Sequence, residues 1–257
     1  MVAEWTGTAA NTVADPTLDA KSPMAARSTR EYKELLRSGR WFRSIPGDLQ
    51  DALLGAAVLR SLAPGELLFS RGDPPDGLYA VVDGAMRVSG FAGTGKEALL
   101  SLLEPPTWFG EVSVFDGLPR THDAVAEKPA TLVHVAPEWL DPLMAAEPRL
   151  WRELGRLLAS KTRLAFLMIE DVALAPAAVR LARRLVLMTE GYGEWYDRTR
   201  RVLSVRQEQL ALMLNVSRQT ANQLLKELEG KGMVRLAYGE IEIVDLDGLR
   251  QVAAFQG

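Results

Sequence analysis

The stretch from Phe109 to Thr121, Phe-Gly-Glu-Val-Ser-Val-Phe-Asp-Gly-Leu-Pro-Arg-Thr, constrains this chain more than any other. Its punctuated ends hold one carboxylate (Glu111), one guanidinium (Arg120) and one hydroxyl (Thr121). Those are the groups a sugar phosphate needs: an acceptor for ribose hydroxyls and a forked cation for phosphate oxygens. Between them Val112-Ser113-Val114-Phe115 is short and apolar enough for one helical turn. A turn that opens at Gly110-Glu111 leaves backbone N–H groups facing an anion. The alternative is a surface strand-turn-strand closed by a Glu111–Arg120 ion pair.

Around this stretch the hydrophobic period is that of strands. Leu67-Leu68-Phe69, Leu78-Tyr79-Ala80-Val81-Val82, Met86 with Val88, and Ala98 to Leu103 are separated by glycine turns at 65, 72, 84 and 93–95. Ala124 to Ala126 and Ala130 to Val135 supply the last strands. Short strands at regular intervals predict a β-roll or jelly roll. Arg30 to Arg43 and a helix opened by Pro46-Gly47-Asp48 precede it as capping helices. Residues 1–29, rich in Ala, Thr, Ser and Asp, read as a disordered tail.

From Leu150 to Leu174 the period becomes helical, with Trp151, Leu154, Leu158, Ala165, Met168 and Val172 at three-four spacing and no proline. Leu157, Leu164, Leu167 and Ile169 widen the stripe, so the helix needs two partners: its own β-roll and a symmetry mate. A helix buried within a monomer is the alternative. Lys161 interrupts the seam. Pro176 ends the helix and marks a hinge. Ala177 to Met188 is helical again, and Gly191 to Arg201 is a polar loop or hairpin linker whose Arg198, Arg200 and Arg201 either contact phosphates or form a solvated basic loop.

The carboxy-terminal part has helix-turn-helix spacing. Arg206 to Leu214 forms one helix, Asn215-Val216 turns, and Ser217 caps the next. On that second helix Ala221, Leu224, Leu225 and Leu228 face inward, which leaves Arg218, Gln219, Asn222 and Gln223 outward. Side-chain amides and an arginine at a helix's amino end suit base edges in a major groove. Val234 to Leu236 and Ile241 to Ile243, around Tyr238-Gly239, form a hairpin wing.

Taken in order, these segments resemble the cyclic AMP receptor protein and fumarate-nitrate regulator (Crp/Fnr) family. The resemblance is carried by Phe-Gly-Glu and Pro-Arg-Thr at the family's separation, by glycines 65, 72, 84 and 110, and by Leu-Ala-x-Met-Leu-x-Val-Ser-Arg-x-Thr in the reader. It implies an α+β chain: a disordered tail (1–29), a double-stranded β-helix or jelly-roll sensor (30–149), a dimerisation helix (150–175) and a winged helix-turn-helix (176–257). It implies a cyclic nucleotide (cyclic AMP, cyclic GMP or a cyclic dinucleotide) held by Gly110, Glu111, Arg120 and Thr121. DNA is contacted by Arg206, Ser217, Arg218, Gln219, Asn222 and Gln223 at an inverted repeat, with RNA polymerase and a second copy of the chain as partners. Departures exist. The family's cyclic AMP regulators carry Glu and Arg where this chain has Gln219 and Gln223. Its cassette continues with Ala where His122 stands, and the Thr-Ser pair that meets adenine is replaced by the region Leu164-Ala165-Phe166-Leu167. The DNA site is therefore expected to differ. The ligand base meets apolar surface, or the ligand is another nucleotide, or the pocket is vestigial.

Composition sets the remaining limits. The 257 residues are 47% hydrophobic, which fills one large core or two ordinary ones. No run nears the apolar length of a membrane span, and the amino terminus lacks a basic segment followed by an apolar core, so a cytoplasmic protein without membrane contact is expected. With no cysteine, iron–sulfur clusters and zinc–thiolate sites are excluded. His122 and His134 are isolated, so neither haem nor metal is expected. No nucleophile–base set or paired carboxylate motif suggests an enzyme. Net charge is -3, yet the chain from Val179 onward is slightly basic and the remainder acidic. A nucleotide-binding regulatory or scaffold protein acting through protein contacts is the competing reading.

Overall fold

The computed structural model describes residues 28–195 and 199–254. The period-two segments pair into two antiparallel sheets. They are built from β1 (Val58–Leu62), β2 (Leu67–Phe69), β3 (Leu78–Asp83), β4 (Met86–Phe91), β5 (Glu97–Leu103), β6 (Trp108–Phe109), β7 (Asp123–Ala126) and β8 (Ala130–Val135). Their orders are β1-β8-β3-β6 and β2-β7-β4-β5.

Strand β3 explains how the layers fit. Tyr79 and Val81 turn toward the second sheet and pack with Phe69, Met86, Phe109 and Leu132. Leu78, Ala80 and Val82 turn the other way, onto a helical layer with Trp41, Phe42, Leu49, Leu53 and Leu154. A strand buried on both faces reads as an unbroken apolar run, which is the pattern at 78–82. Each fully buried leucine in these layers contributes roughly 1.5–3 kcal/mol relative to exposure. The helical layer comprises α1 (Lys33–Arg37), α2 (Arg40–Ser44), α3 (Gly47–Gly55), α5 (Pro137–Ala146) and the start of α6 (Arg149–Leu174), while α4 (Glu111–Asp116) sits in the turn between β6 and β7.

Helix α6 is buried only over its first turns, through Leu150, Glu153, Leu154 and Leu157. Beyond them Phe166 (65%), Ile169 (64%) and Leu174 (78%) are exposed apolar side chains. The helix ends at Ala175, and Pro176 caps α7 (Ala177–Thr189). A 3-10 turn, Gly191–Gly193, follows.

The reader consists of β9 (Val202–Leu203), α8 (Gln207–Leu214), α9 (Arg218–Gly230), β10 (Val234–Ala237), β11 (Glu240–Ile243) and α10 (Leu246–Ala253). The wing is a three-stranded sheet in the order β10-β11-β9. Leu181 and Leu185 of α7 pack with Leu210, Leu225, Ile241 and Leu249, and Leu99 and Leu102 of β5 join that core. The reader is thus seated on the sensor's β5. Four elements go beyond the sequence-based expectation: β1, β6, β9 and α10. The expected tail at 1–29 lies outside the described residues except for Ser28 and Thr29, and Arg198 also lies outside them. Arg200 is not a free phosphate contact here, because its guanidinium pairs with Glu104 and lies over the Trp195 ring. No helix among the described residues is long and apolar enough to cross a membrane.

Candidate functional site

A cavity of about 280 Å³ opens between the two sheets and α6. Gly110, Glu111, Arg120 and Thr121, predicted to act together, all line it. Gly110 caps α4 with φ 94, and a Cβ there would lie 2.9 Å from both Arg120 Nη1 and the Gly77 carbonyl oxygen. Glycine is what lets the chain turn this close to the guanidinium. Arg120 is buried. Its Nη1 donates to the Gly110 carbonyl (3.0 Å), and its Nη2 donates to the Gly77 carbonyl (2.7 Å) and to the Asp76 carboxylate. The guanidinium also lies 4.3 Å from the Phe69 ring centroid. Its Nε is buried without a hydrogen-bond partner among the described residues.

Glu111 is also buried. Lys161 of α6 donates to Glu111 Oε2 (2.9 Å) and to the Trp108 carbonyl (2.6 Å). The break that this lysine makes in an apolar seam is therefore its reach into the cavity. Thr121 Oγ1 lies 2.9 Å from His122 Nδ1. Burial, and then the charge of Arg71, hold the His122 imidazole below its ordinary pKa. The wall above is apolar: Val88, Leu100 and Leu103 from the roll, and Leu164, Ala165 and Met168 from α6. Of the four α6 residues counted for the adenine contact, Leu164 and Ala165 line the cavity, while Phe166 and Leu167 are exposed. His134 is a packing residue. It stacks on Tyr79 with centroids 4.3 Å apart, and its Nε2 donates to the Asp76 carbonyl (2.7 Å).

The second surface is α9. Ser217 caps it, its hydroxyl accepting from the Thr220 N–H (3.0 Å). Asn215 supplies the turn with φ 52, a left-handed conformation that asparagine tolerates better than most residues. Ala221, Leu225 and Leu228 are buried, Arg218, Gln219 and Gln223 are exposed, and Asn222 is half-buried. Arg206 is placed apart from this face: it caps α8, and its Nη2 pairs with Glu127 of the sensor at 2.8 Å.

Residues 59–147 match the family model of the cyclic nucleotide-binding domain, and residues 179–252 match that of the Crp-like helix-turn-helix domain. The chain belongs to the Crp/Fnr family of transcription regulators. Among relatives of this regulator is the CRP-like cAMP-activated global transcriptional regulator of Mycobacterium tuberculosis, 29% identical over 204 residues, which cover 77% of this chain and 91% of that protein. Another is the Cyclic AMP receptor protein of Thermus thermophilus, 29% identical over 213 residues, covering 82% and 95%. A CRP/FNR-family regulator of Thermus thermophilus has a similar solved structure, with TM-score 0.61 at 26% identity, covering 77% of this chain and all of that one. FixK2 of Bradyrhizobium japonicum shares the fold, with TM-score 0.69 at 18% identity, covering 78% and 99%. The Mycobacterium tuberculosis relative and the CRP/FNR-family protein of Thermus thermophilus are named as transcription regulators, and the Crp-like reader makes this chain a DNA-binding one.

Within the regulator, sequence reasoning missed three residues that shape the cavity. Asp76 fixes the cavity's arginine, its carboxylate accepting from both the Tyr79 hydroxyl and Arg120. Tyr192 and Glu194, from the linker, also line the cavity. None of the three stands out by periodicity, whereas Lys161 does, as a charge where the helical stripe called for an apolar residue.

Proposed function

We propose that the protein is a homodimeric, sequence-specific transcription regulator in which a cyclic nucleotide in the sensor cavity controls the reader. The observation that carries this is a buried carboxylate, Glu111, and a buried guanidinium, Arg120, at the base of one cavity beside the first turn of α4. Glu111 accepts from a ribose hydroxyl, while Arg120, Thr121 and the α4 amides hold the phosphate. Cyclic AMP is the first candidate, because both relatives are named for it. The base then meets Leu164, Ala165 and Met168, an apolar surface that also accommodates cyclic GMP or one base of a cyclic dinucleotide.

The exposed apolar face of α6 supports pairing with a second copy, and the dimer carries two readers to an inverted repeat. Arg218, Gln219, Asn222 and Gln223 face the bases there, while Arg206 and Ser217 serve the DNA backbone. Functional units at 30–149, 150–175 and 176–257, a cytoplasmic location and contact with RNA polymerase belong to the same reading. Ligand binding shifts the population of two arrangements about Ala175-Pro176, which requires different affinity in each.

Thermal-shift measurement over cyclic mono- and dinucleotides tests the ligand, since specific binding raises apparent stability by mass action. Selection from random DNA, with and without the best nucleotide, tests the reader. Failure to enrich any sequence in either condition would overturn the regulator reading.

A further inference from the structure

Helix α7 runs back along the sensor, where Arg184 Nη1 donates to the Leu100 carbonyl (3.2 Å). The segment after it therefore arrives at the cavity, and Gly191, Tyr192 and Glu194 form part of its wall beside Lys161. That segment is fastened to the sensor. The Arg40 backbone N–H donates to the Glu194 carbonyl (2.7 Å), Arg40 Nε donates to the Trp195 carbonyl (2.8 Å), and Gly39 and Trp195 form an antiparallel bridge.

Its conformation fits that place at local cost. Tyr192 adopts φ 54, a left-handed conformation that is unfavourable for an aromatic residue. Its hydroxyl is buried beside Arg184 and Ser101, so the ring is packed into the sensor side of the cavity. Gly191 lies so close to the Trp195 indole that a Cβ would be 2.4 Å from the ring. Such strain persists only where the surroundings over-determine it, and here they include the sensor, to which Arg40 ties the segment. Glu194 adds a charge argument. Burial pushes its carboxyl up, Lys161 and Arg40 oppose that, and Glu111 reinforces it. Two carboxylates thus share the field of one ammonium in the cavity that an anion must enter.

We propose that Gly191 to Trp195 is an intramolecular cap on the sensor cavity, and that an anionic ligand must displace Glu194 from the field of Lys161 to bind. This rests on reading the cavity as a ligand site. Release of the cap frees the reader from Arg40 and leaves it held by the exposed pairs Arg206 to Glu127 (2.8 Å) and Lys96 to Asn215 (3.0 Å), by Arg184 on the Leu100 carbonyl, by Arg200 on Glu104, and by the packing of Leu99 and Leu102. Displacement of the cap is then the step that joins ligand binding to movement of the reader.

The test uses the full chain as wild type, Glu194→Gln and Arg40→Ala, with cyclic AMP and cyclic GMP as probes. Amide hydrogen exchange is followed at 100–103 and 111–116, together with nucleotide affinity. Faster exchange at those amides in both variants without nucleotide, and roughly fivefold or tighter cyclic nucleotide binding by Glu194→Gln, are the expected results. Unchanged exchange in both variants would show that the segment does not cover the cavity and would overturn the cap. Faster exchange with equal or weaker nucleotide binding would overturn the competition. Faster exchange with neither probe bound by any of the three proteins would sustain the cap and instead remove cyclic AMP and cyclic GMP from the proposed function.

Discussion

The Lys161 ammonium and the Glu111 carboxylate meet at 2.9 Å inside the sensor cavity, joining α6 to the first residue of α4. Glu111 is almost fully buried, so removing its partner leaves an anion that water cannot reach. Lys161→Met should lower stability by roughly 1–3 kcal/mol, and adding Glu111→Gln should restore part of it. Urea unfolding of the two single variants and the double variant measures the coupling. A coupling indistinguishable from zero would mean that the pair contributes nothing.

Arg120 makes a different demand on its neighbours, since its two terminal nitrogens serve Asp76, Gly77 and Gly110 at once. Lysine keeps the charge but lacks the planar fork that reaches separate acceptors. Arg120→Lys should therefore lose roughly 1–3 kcal/mol of stability and also weaken cyclic nucleotide binding. Stability and affinity measured on the same preparation separate the two roles. Loss of stability with affinity intact would confine Arg120 to holding the fold.

Acid should find His122. Its folded-state pKa is depressed by burial and then by Arg71, with Asp123 opposing. The unfolded chain thus takes up a proton below the ordinary value of 6.5 that the folded chain resists. The stability tied to neutral His122 is present above that pH and is lost as pH falls below it. His122→Gln should show a smaller fall in stability between about pH 7.5 and about pH 5.5 than the wild type. Equal falls in the two proteins would assign the acid sensitivity to other groups.

What the sequence made legible is local. The run at 78–82, the turn after Gly110, the long helical stripe, Pro176 and the Ser217 cap each follow from a few neighbouring residues. Strand β1 was hidden because Arg60 and Ser61 interrupt its apolar pattern and its partner β8 is distant in the chain. Strands β6 and β9 are two residues each and exist only through pairing with β3 and β11. Helix α10 did carry a signal, since Asp245 caps it and Leu246, Leu249 and Val252 keep helical spacing. In the cavity the side chains were legible and their partners were not. Lys161 meets Glu111 across 50 positions and Arg120 meets Asp76 across 44, and no periodicity links such pairs.

The exposed face of α6 makes the proposed dimer testable. Phe166, Ile169 and Val172 are apolar and exposed at helical spacing, and burying each against a second copy would gain roughly 1.5–3 kcal/mol. Ile169→Glu should shift sedimentation toward the monomer while leaving the circular dichroism spectrum unchanged. A wild-type protein that sediments as a monomer at all concentrations, with or without nucleotide, would remove the second copy from the proposal.

Base reading should centre on Arg218, which is exposed in the first turn of α9 immediately after the Ser217 cap. An arginine there can pair bidentately with guanine, whereas Gln219 and Gln223 are suited to adenine edges. Two readers of a dimer imply half-site centres about 10 base pairs apart or a multiple of that. Arg218→Ala should cost roughly 1–3 kcal/mol on the best site and relax one base position in each half-site. Arg206 is the contrast, because its present partner is the Glu127 carboxylate, and a guanidinium released from it would meet a phosphate. Arg206→Ala should weaken all sequences alike and flatten the salt dependence. Sites selected by the two variants decide between the roles: if the Arg218→Ala protein keeps the wild-type preference at every position, Arg218 touches phosphate or merely supports its helix, and the reading falls to Gln219, Asn222 and Gln223.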